Sequence, residues 1–130
     1  ISVGHMFETA AKVREKLKEA GLNASLINAR FVKPLDEERI AKLAEDHRLL
    51  VTIEENVESG GFGERVLEFA NRMALDVRIL NITLPDDYIE HGSVDMLRKE
   101  VMLDEESILK KVLTVYAGMQ HEIAMKKGDQ

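Results

Sequence analysis

The hydrophobic positions of this chain fall into two rhythms that alternate from one end to the other. Met6, Ala10, Val13, Leu17 and Ala20 step by fours and threes, the spacing of one helix face. Gly21 follows, a residue able to take left-handed backbone at a helix end without a Cβ penalty. Leu26 to Val32 reads as a strand with an extended exit, because Pro34 disfavours helix at Lys33. Asp36 is placed to cap a second helix carrying Ile40, Leu43 and Ala44. Leu49 to Ile53 is a continuous apolar run bounded by charge, the pattern of a strand covered on both faces. Glu54, Glu55 and Asn56 lead into a glycine-rich turn, Gly60-Gly61-Phe62-Gly63. A third helix then places Val66, Phe69, Ala70 and Met73 inward.

The second half repeats the alternation. Val77 to Ile82 reads as a strand that Pro85 ends. Ser93 is placed to cap a short helix with Val94, Leu97 and Val101 inward. Asp104 opens a last helix with Ile108, Val112, Val115 and Met119 along one side, and 126–130 read as a frayed tail after a domain of 1–125. Ile1 to Gly4 reads as the end of a strand feeding the first helix, so the expectation is a first strand that is truncated and a chain cut from a larger protein. Strands alternating with helices predict an α/β three-layer sandwich around a mostly parallel (mixed) sheet.

Composition narrows the function classes. With 45% hydrophobic and 32% charged residues the chain is an ordinary globular one, and 130 residues bury one domain's core but not two. A net charge of −6 argues against nucleic-acid and anionic-membrane partners, both of which need a basic face. The absence of cysteine rules out disulfides, thiolate metal sites and thiol nucleophiles, and is compatible with a cytoplasmic address. The sequence contains no apolar run long enough to span a bilayer.

The glycine turn is the first place to look for chemistry, since amides at a helix start cradle phosphates. Two features oppose that reading. A dinucleotide fingerprint starting at Gly61 needs a small residue where Val66 stands, and the approach is lined by Glu54, Glu55 and Glu58. Glu54 and Glu55 are adjacent, so on a strand they point to opposite faces and cannot both address one substrate atom. A cation partner for one of them is expected from Arg30 or Lys33. His5, His47, His91 and His121 show no metal-ligand spacing. The residues alone therefore describe an α/β domain without an evident active site.

Three strings carry a resemblance. Asn28-Ala29-Arg30-Phe31-Val32-Lys33-Pro34-Leu35-Asp36 is similar to a segment of the deoxyxylulose-phosphate synthases. So is Val51-Thr52-Ile53-Glu54-Glu55-Asn56 followed by Gly60-Gly61-Phe62-Gly63. The third is Leu80 to Asp86, including Pro85, with Tyr88-Ile89-Glu90-His91-Gly92, where Thr83 and Tyr88 depart from the family's glycine and phenylalanine. Met102-Leu103-Asp104 departs too, at a place where the family often shows glycine. The three strings stand in the family's order, and the likeness extends over roughly residues 1–112.

The resemblance implies the third domain of a transketolase-like thiamine diphosphate enzyme, with a sheet of about five strands. It implies partners in the N-terminal and central domains of the same enzyme, within a homodimer. Thiamine diphosphate and magnesium are implied for those other domains, and no catalytic, cofactor-binding or metal residue carries over to this chain. Arg30, Lys33, Pro34, Asp36, Glu54, Glu55, Asn56, Gly60, Gly61, Gly63, Pro85, Asp86, His91 and Gly92 carry over as structural or interface positions. Alternatives within the same fold are the matching domain of transketolase and that of a 2-oxoacid dehydrogenase β-subunit. A free-standing module binding a small anion at the glycine turn is the alternative from another class.

Overall fold

The computed structural model describes residues 1–29, 35–57, 61–84 and 103–128. Strand β1 (Ser2–Val3) passes through a single 3-10 turn (Gly4–Met6) into helix α1 (Phe7–Glu19). Strand β2 (Asn28–Ala29), helix α2 (Glu37–Asp46), strand β3 (Leu49–Val57), helix α3 (Phe62–Arg72) and strand β4 (Arg78–Leu84) follow, and helix α4 (Glu105–Gly128) ends the described chain. Among the described residues four strands form one sheet in the order β2-β1-β3-β4, with every pairing parallel. That is the predicted α/β architecture, with four described strands where about five were expected.

The two-residue period of β3 sorts its side chains between two cores. Leu49, Val51 and Ile53 face a cluster made by Met6, Ala10, Val13 and Leu17 of the first helical segment with Leu103, Ile108 and Val112 at the other end of the chain. Leu50 faces the opposite cluster, of Ile40, Phe62, Val66 and Phe69. Helices α1 and α4 therefore cover one face of the sheet, and α2 and α3 the other. Each fully buried aliphatic or aromatic side chain in these clusters contributes about 1.5–3 kcal/mol of transfer free energy.

The helix boundaries follow local chemistry. Ala20 is exposed, because α1 has already ended there, and Gly21 takes the left-handed backbone at φ 85°. Asp36 caps α2, its side chain accepting from the Arg39 amide at 3.2 Å. At the other end of α2 the His47 ring donates from Nδ1 to the Leu43 carbonyl at 2.9 Å, which leaves Nε2 to accept from the Ser25 hydroxyl at 3.3 Å. Helix α3 closes with Leu75 N–H donating to Ala70 O at 3.0 Å, and Ala74 takes the left-handed region at φ 50°. Surface pairs tie helices together: Arg72 to Glu37 at 2.9 Å, and Lys16 to Glu105 at 2.8 Å. The Glu105 hydrogen bond holds the Lys16 ammonium above its ordinary range.

Several boundaries differ from the sequence reading, among them the start of β2, at Asn28 rather than Leu26. Strand β3 runs on to Val57, through Glu54 and Glu55, because backbone pairing with β4 resumes at Val57 opposite Leu84. Strand β4 continues to Leu84. Helix α4 extends through Gly128, into the stretch read as a frayed tail. The remainder of the strand expected to Val32 and the short helix expected after Ser93 lie outside the described residues.

Candidate functional site

At the C-terminal ends of parallel strands, where α/β proteins bind ligands, β3 and β4 carry a cluster of polar side chains beneath the start of α3. The period that turns Leu50 towards α3 also turns Thr52 and Glu54 that way. Ile79 belongs to the same core as Leu50, and the strand period carries Asn81 to that face as well. The lower turns of α3 rest Val66 and Phe69 on the apolar half of this surface. Its first turn rests on the polar half.

Glu54 is fully buried, and its carboxylate is bound by the helix above it. Oε1 accepts from the Phe62 amide at 3.0 Å and Oε2 from the Gly63 amide at 2.6 Å. The residue at the N-cap position of α3, Gly61, has no side chain with which to satisfy these donors. Glu54 does so from the neighbouring strand, and its negative charge meets the positive end of the helix dipole. The ladder between β3 and β4 is irregular at this point: between Ile53 and Val57, β3 takes four steps where β4 takes two, from Ile82 to Leu84. Such an irregularity redirects side chains locally, and it lies beside Glu54.

The neighbouring polar pair closes the same joint. Thr52 Oγ1 donates to Asn81 Oδ1 at 2.7 Å. Gly63 lies directly above this pair. A Cβ on Gly63 would stand 2.6 Å from Thr52 Oγ1 and 2.7 Å from Asn81 Cγ, so only glycine allows α3 to approach the sheet this closely. Glu54, Thr52, Asn81 and Gly63 thus form one strand-to-helix clamp.

Of the positions singled out from sequence, the clamp contains Glu54 and Gly63, and Gly61 at its N-cap. Glu55 is half-buried, and Asp36 serves α2 at a separate place as a helix cap. Arg30, Lys33, Pro34, Gly60, Pro85, Asp86, His91 and Gly92, and the Asn56 side chain, lie outside the described residues. The cation partners expected for Glu54 are among these, and the partners in view are backbone amides. Thr52 and Asn81 were missed as members of the joint. Their signal was a polar residue set between apolar neighbours, Thr52 between Val51 and Ile53 and Asn81 between Leu80 and Ile82.

The geometry limits the chemistry. The amides that would receive an anion at the start of α3, those of Phe62 and Gly63, already hold the Glu54 carboxylate, which would also repel a phosphate. Among the described residues no group of three histidine, aspartate or glutamate side chains is placed to hold a metal ion. Nor is any described helix long and apolar enough to cross a membrane.

The transketolase C-terminal domain family matches residues 1–108. Curated relatives named 1-deoxy-D-xylulose-5-phosphate synthase align along most of the chain. The protein from Lachnoclostridium phytofermentans is 47% identical over 113 residues, covering 86% of this chain and 18% of its own length. Those from Clostridium tetani, 42% identical over 113 residues, and Aquifex aeolicus, 41% over 118, cover 87% and 91% of this chain and 18% and 19% of their own. This chain thus spans about a fifth of the relatives it matches. Among solved structures, a split-gene transketolase described as an inactive beta4 tetramer superposes with a TM-score of 0.79 at 22% identity, over 87% of this chain and 37% of its own, a likeness of fold. Sequence and fold agree, and the chain belongs to the transketolase C-terminal domain family.

Proposed function

We propose that this chain is the C-terminal domain of a thiamine diphosphate-dependent deoxyxylulose-phosphate synthase, and that it completes the enzyme's fold without performing chemistry. The whole enzyme would condense pyruvate with glyceraldehyde 3-phosphate and release carbon dioxide, opening a non-mevalonate route to isoprenoid precursors. The N-terminal and central domains of that enzyme would hold the cofactor and magnesium. The domain would support a homodimer of the whole enzyme in the cytoplasm.

The observation that carries this reading is the use of Glu54. It is the one fully buried carboxylate among the described residues, and both of its oxygens hold the start of α3. A carboxylate spent on backbone amides has a positioning role, and what it positions is the first turn of α3 against β3. The same occupancy counts against a free-standing anion-binding module. Identity of 37–47% to named synthases over most of the chain favours that enzyme over transketolase or a 2-oxoacid dehydrogenase β-subunit.

Complementation tests it. The first two domains of a deoxyxylulose-phosphate synthase are expressed without the third, this chain is added in trans, and pyruvate-dependent carbon dioxide release is followed. Activity restored by the mixture, with none from this chain alone, is the expected result. Turnover by this chain alone would overturn the proposal. A fusion joining the same pieces covalently separates a weak interface from a wrong assignment, because an inactive fusion rejects the reading.

A further inference from the structure

No further inference is drawn: the strongest candidate, the half-exposed apolar stripe of Val115, Met119 and Ile123 on the distal half of α4, with exposed Met125 beyond it, carries nothing because nothing among the described residues shows what covers it.

Discussion

The Glu54 carboxylate reaches the amide of Gly63, nine residues further along the chain, at 2.6 Å, so a strand side chain caps a helix whose own N-cap position holds a glycine. Two kinds of constraint meet there. One is electrostatic, a buried charge against the positive end of α3, and the other is steric, the lack of room for any side chain at Gly63.

Glu54→Ala removes the charge and leaves the Phe62 and Gly63 amides without an acceptor in a buried site. A loss of about 2–4 kcal/mol in unfolding free energy is expected. Glu54→Gln keeps the volume and one acceptor but turns an amide donor towards backbone donors, so it should fall between the alanine variant and the parent. Urea denaturation measures both. A Glu54→Ala variant as stable as the parent would show that the cap carries no weight.

Gly63→Ala tests the steric half. Its Cβ would meet short, hydrogen-bonded side chains, Thr52 and Asn81, so α3 has to lift or the pair has to part. The expected loss is about 1–3 kcal/mol. Pairing the substitution with Asn81→Ala, which opens space, should return part of that loss. Strictly additive losses in the double-mutant cycle would place the strain elsewhere.

Asp36→Ala offers a calibrating comparison, since it removes an ordinary exposed cap from α2. About 1 kcal/mol is the expected cost, smaller than that of Glu54→Ala. Thermal unfolding of the two variants side by side checks the ranking.

Burial pushes the Ile1 ammonium from 8.0 down to about 6. Between those values the unfolded chain holds more of this proton than the folded chain, so stability rises with pH through the window. The contribution is fully present above pH 8 and is lost as pH falls through 6, amounting to about 2–3 kcal/mol. N-terminal acetylation removes the titrating group, so the acetylated chain should lack this component of the slope. The two chains differ only at the Ile1 amino group, so the difference between the two curves isolates it. Superimposable curves would contradict the assignment.

Periodicity made most of the scaffold legible before any coordinates. Met6, Ala10, Val13 and Leu17 are buried as their spacing requires, and Asp36 caps the helix it precedes. The clamp was less legible. Helix-capping rules look at the residues next to a helix start, and the acceptor for α3 stands eight and nine residues upstream on a strand. A carboxylate within a strand covered on both faces needs nearby donors, and the reading turned to cations rather than to the amides of a bare glycine turn. The length of β3 was underestimated for a related reason: charged Glu54 and Glu55 looked like a strand end, and only the buried amides explain how one of them stays inside.

The strand order β2-β1-β3-β4 also bears on how the chain acquires its shape. The first strand in sequence sits between two strands made after it, and its contacts with β3 span about fifty residues. The β3–α3–β4 unit, by contrast, needs only the stretch from Leu49 to Leu84 and includes the entire Glu54 clamp. Closing short loops before long ones favours this unit as the nucleus, with α1 and β1 docking onto a sheet edge that already exists. Substitutions at Glu54 or Gly63 should then slow refolding, while those at Met6 or Val13 should chiefly hasten unfolding.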